Sequence, residues 1–197
     1  MSSYMVLAAV SEALRQILWE AFEADAVIRP IVGSESAIVF KNPTETAQDS
    51  GNRLSLWLYQ IAENEFVKNQ PLLRGNGHDS AQFPPLALNL FYLVTPFAPS
   101  GESDHLLLGK TMEVLYDNAT ILLGDITNDI AEELRIIFSR LTLEELTRIW
   151  DALREPYRLS VCYQVRVTRI DSQRMPGHAR VIERIAGFGS KPVKATE

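Results

Sequence analysis

The chain has 197 residues, 46% of them hydrophobic, and a formal net charge of −6 at pH 7. This size and composition exclude intrinsic disorder and are typical of one globular domain with an ordinary core. The single cysteine excludes an internal disulfide and a zinc site made of several cysteines, and it fits a reducing compartment. We expect one domain over residues 1–186, followed by a flexible tail over residues 187–197.

Charge is unevenly divided along the chain. Residues 1–153 contain 10 Lys+Arg and 21 Asp+Glu, whereas residues 154–197 contain 9 Lys+Arg and 4 Asp+Glu. This asymmetry predicts a basic edge that meets an acidic surface, either on the same chain or on another copy of it. The alternative is a solvated basic strand followed by a basic tail.

The first predicted element is an amphipathic helix over residues 6–24, where apolar residues recur at helical spacing. Glu12, Glu20 and Glu23 interrupt the apolar run that a secretion signal would need. The apolar stretches of the chain are also far shorter than the roughly 20 residues of a membrane-spanning helix. We therefore expect neither a secretion signal nor insertion into a membrane.

The segment after this helix predicts a short strand and a loop. Residues 36–41 (SAIVFK) are β-branched and aromatic, and Asn42 and Pro43 close them. Residues 44–52 are polar and contain Gly51, so we expect an exposed loop there.

Residues 53–63 predict a strand that is apolar on both faces. Alternation places Trp57 and Tyr59 on one face and leucines on the other. A strand of this kind is covered on both sides, by the rest of the fold or by a partner, so Trp57 and Tyr59 are candidate interface residues. The two sets are Leu54, Leu56 and Leu58 against Trp57, Tyr59 and Ile61.

The middle of the chain predicts a loop over residues 70–82 and an apolar strand over residues 86–95. Ser103 is expected to cap the helix that follows. The apolar residues expected to share one face of this helix are Leu108, Met112 and Leu115.

A strand over residues 134–141 is predicted next, because apolar and polar side chains alternate there. Thr142 and Glu145 have the spacing of a capping box, which begins a helix that Pro156 ends. A last strand is expected over residues 179–186. The irregular order of these elements predicts an α+β fold with a mixed or antiparallel sheet and about three packed helices.

The strongest strand signal lies in residues 157–170. One face is expected to be buried, and the other meets water or a partner. Arg158 and Arg166 lie on the polar face, and together with Arg169 they are candidate interface residues. At about 3.3 Å per residue, so long a strand must bend or project beyond its sheet. The apolar set is Tyr157, Leu159, Val161, Tyr163, Val165 and Val167, and the polar set is Arg158, Ser160, Cys162, Gln164, Arg166 and Thr168.

The sequence shows no group of residues with the spacing of a catalytic, metal or cofactor site. His78, His105 and His178 lie in separate loops or loop margins, without a second ligand at metal-binding spacing. Cys162 has no base near it in the sequence, which favours a packed or interface thiol over a nucleophile. We expect no enzymatic activity, no cofactor and no metal ion.

The arginines of the last quarter of the chain raise the question of nucleic-acid binding, and two observations favour a protein partner instead. Tyr157 and Tyr163 fall on the strand face opposite Arg158 and Arg166, so no stacking platform adjoins the basic side. The sequence pI of about 5.2 also differs from that of a typical nucleic-acid-binding domain. We therefore expect contacts with protein and none with nucleic acid.

Three phrases carry a family resemblance. They are RLSLWLYQIAENEFVKN over residues 53–69, PPLALNLFYLVTP over residues 84–96, and LEELTRIWDALREPYRLSVCYQVRVTRID over residues 143–171. Their combination and order resemble the tail-terminator, or cap, family of contractile injection systems of the antifeeding-prophage and Photorhabdus virulence cassette type. The resemblance covers about residues 5–185.

The resemblance implies a phage tail-terminator-like fold and a structural role. It implies a hexameric ring at the end of the particle remote from the baseplate. There the ring would bind the last inner-tube and sheath layers and stop both polymers. The chain would be made in the cytoplasm and then built into the particle. Its partners would be other copies of itself, the inner-tube protein and the sheath protein.

Two alternatives stay open at this point. One is a peripheral adaptor or scaffold protein of the same kind of particle, which would share the fold and bind at another position. The other is an enzyme whose site is assembled from the three histidine-bearing regions. The location of the chain in the particle tests the first, and activity of a purified monomer would favour the second.

Overall fold

A six-stranded sheet organises the chain, in a computed structural model that describes residues 5–64, 73–74, 81–82, 86–124 and 131–170. The order of strands across the sheet is β1-β2-β5-β8-β7-β6, and β3 and β4 form a separate pair. β1 runs parallel to β2 and the other neighbours are antiparallel, so the sheet is mixed. The strands are β1 (Ile38–Val39), β2 (Leu54–Glu63), β3 (Leu73–Arg74), β4 (Ala81–Gln82), β5 (Leu86–Pro96), β6 (Thr120–Gly124), β7 (Ala131–Ser139) and β8 (Val161–Ile170).

Three long helices and two short ones accompany the sheet in the described residues. The predicted α+β class is confirmed, and the first helix has the bounds that its apolar spacing predicts. The helices are α1 (Val6–Ala24), α2 (Arg29–Val32), α3 (Pro43–Ala47), α4 (Gly101–Asp117) and α5 (Leu143–Leu153).

The core lies between one face of the sheet and the helices α1 and α4. Tyr92 of β5 lies opposite Tyr163 of β8, which lies opposite Phe138 of β7. The hydroxyl of the buried Tyr92 is 2.8 Å from Ser11 Oγ on α1, which ties the helical layer to the sheet. Further core members are Val10, Leu14, Leu18, Phe22, Leu54, Leu56, Leu90, Val94, Leu107, Leu115, Leu134, Ile136 and Val165.

We name the opposite face of the sheet the open face. Its end nearest α3 and α5 is covered, since Ser55, Thr95 and Cys162 are buried there. Trp150 is the buried residue of α5, and its indole N–H donates to Ser160 Oγ at 3.4 Å. Towards the other end the side chains of the open face become exposed among the described residues.

Helix beginnings follow capping chemistry. The Thr142 N–H donates to Glu145 Oε2 at 2.8 Å, and the reciprocal bond to Thr142 Oγ1 is also present, which confirms the predicted capping box. The predicted cap of α4 is wrong. Ser100 is the cap, and its Oγ accepts from the Ser103 N–H at 3.1 Å. Met112, expected to share a face with Leu108 and Leu115, is 36% exposed, whereas those two leucines are buried.

Residues 36–52 differ from the prediction. The strand shortens to the two residues of β1, and the expected loop contains α3. Asn42 Oδ1 accepts from the Glu45 N–H at 2.8 Å, and Pro43 occupies the first helical position, where its fixed φ suits a helix. β6 and the β3–β4 pair were not predicted, and β3 and β4 show that residues 70–82 are not entirely a loop.

The strand predicted over residues 157–170 begins later, at Val161. Arg154 adopts a left-handed conformation with φ of 57° at the end of α5, and the chain then passes Pro156 before it joins the sheet. Tyr157 and Leu159, expected to be buried, are each 45% exposed. Ser160 and Cys162, expected on the wet face, are 5% and 2% exposed. The predicted strand 179–186 and the tail 187–197 lie outside the described residues.

Candidate interaction surface

Antiparallel register divides the open face into rows of directly opposed side chains, because opposed residues on neighbouring strands share a face. Three rows run across it, from the covered end towards the exposed end. They are Trp57, Leu93, Cys162 and Ser139, then Gln60, Phe91, Gln164 and Ile137, and then Ala62, Asn89, Arg166, Arg135 and Thr120.

Trp57 and Tyr59 form an aromatic cluster with Phe91 on this face. The ring centroids of Trp57 and Tyr59 are 6.0 Å apart, and those of Tyr59 and Phe91 are 6.4 Å apart. All three rings are half-buried. The two aromatic residues predicted for an interface therefore lie side by side and present part of their surface to the outside.

A β-bulge at Tyr59 changes the face of the residues that follow it. The register of β2 against β5 shifts between Leu58 and Gln60, which places Ile61 opposite the core residue Leu90. The prediction that Ile61 shares a face with Trp57 and Tyr59 is therefore wrong.

Tyr59 and Cys162 are paired across the open face, with the Tyr59 hydroxyl 3.2 Å from Cys162 Sγ. Burial raises the pKa of the Cys162 thiol. Burial also raises the pKa of Tyr59, and the hydrogen bond to Cys162 and the charge of Glu145 add to the effect. Both groups are therefore neutral at pH 7, and the thiol lacks the thiolate character of a nucleophile.

The row Ala62, Asn89, Arg166, Arg135 and Thr120, which we name the arginine row, places two guanidinium groups opposite each other. Arg135 Nε donates to Glu133 Oε1 at 3.0 Å. Arg166 is exposed and forms no ion pair within the described ranges. Like charges directly opposite on neighbouring strands are destabilising. Because Glu133 pairs with Arg135 only, Arg166 is a positive charge without an acidic partner among the described residues at this end of the open face.

Arg158, the second arginine predicted for the interface, lies before β8 and does not share a strand with Arg166. Its Nη2 is 3.1 Å from Asp104 Oδ2 on α4, and its guanidinium carbon is 4.6 Å from the centroid of the Phe97 ring. Grooves of about 340 and 240 Å³ adjoin it. Arg169 lies in β8, and its side chain is outside the described residues.

The described residues contain no group of three His, Cys, Asp or Glu side chains that could hold a metal ion. His105 is exposed on α4, and His78 and His178 lie outside the described residues, so the convergence of the three histidine-bearing regions stays untested. No described helix is long and apolar enough to cross a membrane. The open face presents the half-buried aromatic cluster and the exposed Arg135 and Arg166.

Comparison with known proteins yields a family match and several similar chains of solved structures. The model of the Pvc16 N-terminal domain matches residues 9–184. The cryo-EM structure of the sheath/tube terminator of an extracellular contractile injection system, PVC, in its extended state is 17% identical and has a TM-score of 0.57. The cryo-EM structure of the tube-terminating cap of the anti-feeding prophage is 19% identical and has a TM-score of 0.42. No curated protein sequence matches the chain.

The match to the sheath/tube terminator covers 96% of this chain and 65% of that chain, and the match to the cap covers 73% and 47%. This chain therefore spans less than two thirds of the length of either structure. The likeness to the terminator shows a shared fold, the mixed sheet with helices described above.

Proposed function

Because this chain belongs to the family of Pvc16 N-terminal domains, we propose that it acts as a tail terminator of a contractile injection system. The match over residues 9–184 carries the proposal, and it confirms the resemblance found in the three sequence phrases. The fold shared with a sheath/tube terminator supports it.

The proposed action is mechanical. Copies of the chain assemble into a closed ring, hexameric by the family resemblance, at the end of the particle remote from the baseplate. The ring binds the last layers of inner-tube protein and sheath protein on one side and offers no equivalent surface on the other, so neither polymer adds further subunits. Termination of this kind makes and breaks no covalent bond, so it needs no catalytic group, no cofactor and no nucleic acid.

The proposed contact residues are Trp57, Tyr59, Arg158, Arg166 and Arg169. Aromatic residues and arginine are enriched in the centres of protein interfaces. The half-buried ring cluster and the unpaired Arg166 on the open face have this character. Arg158 differs from them, because Asp104 and Phe97 already hold it within the chain.

Deletion of the coding gene tests the proposal. Without a terminator, tubes and sheaths should vary widely in length, or few stable particles should survive, and a plasmid copy of the wild-type gene should restore a uniform length. Electron micrographs of purified particles give the length distribution directly. Particles of normal, uniform length in the deletion strain would contradict termination, and if they lacked only a peripheral structure they would indicate an adaptor role.

A further inference from the structure

The outward side of α4 differs from that of its neighbour α1. The exposed positions of α1 are small or polar, whereas α4 exposes Leu106, Met112 and Tyr116 to 44%, 36% and 82%. Met112 and Tyr116 are in line with Gly109 at helical spacing. We name the exposed positions that follow the first residue of the helix the outer face of α4, which comprises Glu102, His105, Leu106, Gly109, Met112, Glu113, Tyr116 and Asp117.

Two residues of this face are unfavourable in an isolated chain. A Cβ atom at Gly109 would meet nothing within 4 Å, so the described fold does not require the glycine, which weakens a helix interior relative to alanine. Asp117 ends the helix, where the dipole disfavours negative charge, and it forms no ion pair with the described residues. Both features suit a partner that approaches closely and carries positive charge.

The arginine row has the complementary character. Arg135 and Arg166 oppose each other, and Arg166 has no acidic partner in the described part of the chain. Leu122 of β6 lies two residues after Thr120 and therefore on the same face of the sheet, and it is 68% exposed. The row therefore combines unpaired positive charge with an exposed apolar side chain, on the side of the sheet opposite to α4.

We propose that the outer face of α4 of one copy docks on the arginine row of a second copy. This inference rests on the ring assembly of the proposed function. Asp117, which has no ion pair with the described residues, supplies a carboxylate to Arg166, and Glu113, which Lys110 contacts at 2.7 Å, adds a second carboxylate to the same helix face. Met112 and Tyr116 pack against Leu122. Gly109 allows close approach of the helix backbone. Because the two surfaces lie on opposite sides of one chain, the contact is head to tail and repeats around a rotation axis.

Charge reversal on either surface tests the pairing. The row variant is Arg135→Glu with Arg166→Glu, and the helix variant is Glu113→Arg with Asp117→Arg. Each should raise the dissociation constant of the ring at least tenfold in native mass spectrometry of the full chain, because like charges then face each other. Circular dichroism should show that each variant keeps the wild-type secondary structure, since all four side chains are exposed.

A mixture of the two variants gives the sharper result. The acidic row of the first variant fits the basic helix of the second, and the unaltered surfaces also match, so an equimolar mixture should form rings of alternating subunits. Two matched controls reverse charge elsewhere. The first is Arg140→Glu, just before α5, combined with Arg148→Glu in α5. The second is Glu20→Arg combined with Glu23→Arg on the outward side of α1. Both controls should form rings like the wild type.

Three results would overturn the inference. Normal rings from either variant alone would do so, and so would a mixture that fails to recover rings although both variants are folded. A row variant that forms normal rings but no longer binds tube or sheath protein would assign the arginine row to that partner. In this last case the ring, and with it the proposed function, would still stand, so the two failures are distinguishable.

Discussion

Tyr92 connects the helical layer to the sheet through one hydrogen bond in the core. Its hydroxyl is 2.8 Å from Ser11 Oγ, and Ser11 Oγ also donates to the Leu7 carbonyl at 3.1 Å. Because Ser11 keeps that second bond, Tyr92→Phe should lower the free energy of unfolding by only about 1 kcal/mol. Urea denaturation at pH 8 measures the loss, and a loss above about 3 kcal/mol would point to a wider rearrangement of the core.

The same substitution should change the stability at high pH. Burial raises the pKa of Tyr92 from 10.0 to about 12, although the hydrogen bond to Ser11 acts in the opposite direction. As pH rises, the unfolded chain therefore releases the Tyr92 proton before the folded chain does. The contribution of protonated Tyr92 to the free energy of unfolding is intact below pH 10 and is lost progressively between pH 10 and pH 12. The wild type should lose more stability than Tyr92→Phe over that interval. Parallel stability curves for the two proteins would contradict the assignment.

Arg158 and Arg166 should respond oppositely to reversal of charge. Arg158→Glu places a carboxylate against Asp104 and removes the contact with Phe97, so the free energy of unfolding should fall by about 1–2 kcal/mol. Arg166→Glu removes a like-charge pair with Arg135 and should change it by no more than about 0.5 kcal/mol, while it weakens assembly. Urea denaturation and native mass spectrometry measure the two effects. A destabilised Arg166→Glu monomer that assembles normally would contradict this division.

The sequence predicts some of these residue positions and not others. Alternation alone places Trp57 and Tyr59 together on one face. It fails at Ile61 because the bulge depends on how β2 pairs with β5, which is a property of two strands. Arg135 lies directly opposite Arg166 because of the register between β7 and β8, and no local sequence pattern predicts that register.

At the scale of elements, local signals succeed where one pattern is strong. The apolar spacing of α1 and the capping box of α5 both give the observed beginnings. The α3 helix is missed because Asn42 and Pro43 end a strand as readily as they begin a helix. The start of β8 is missed because Tyr157 and Leu159 continue the strand-like alternation, whereas the segment after the left-handed Arg154 joins the sheet only at Val161.

Gly109 permits a test of the role of α4. Gly109→Ala should raise the free energy of unfolding of the monomer by about 0.8–1 kcal/mol, because alanine favours a helix interior and the added Cβ meets nothing within 4 Å. The same methyl group should weaken the ring if the helix backbone approaches a neighbouring copy. Thermal denaturation of the monomer and native mass spectrometry of the ring separate the two effects. A stabilised variant with unchanged ring formation would contradict a close approach of a neighbouring copy at Gly109.

At the scale of the whole molecule, the sheet separates two unlike surfaces. The helical layer presents the outer face of α4 on one side, and the open face presents the aromatic cluster and the arginine row on the other. Surfaces that differ in this way suit head-to-tail contacts, which close into a ring when the rotation between neighbours permits it. The distribution of charged residues along the chain predicts a charge asymmetry. The placement of the two surfaces follows from the sheet order, which no local sequence pattern determines.

The position of this chain in an intact particle decides whether it terminates the tube and sheath. A cryo-EM reconstruction of both ends of purified particles would show where its fold fits the density. We expect a single closed ring of this chain at the end remote from the baseplate, in contact with the last inner-tube and sheath layers. Density for the chain at the baseplate, or repeated along the sheath, would contradict termination.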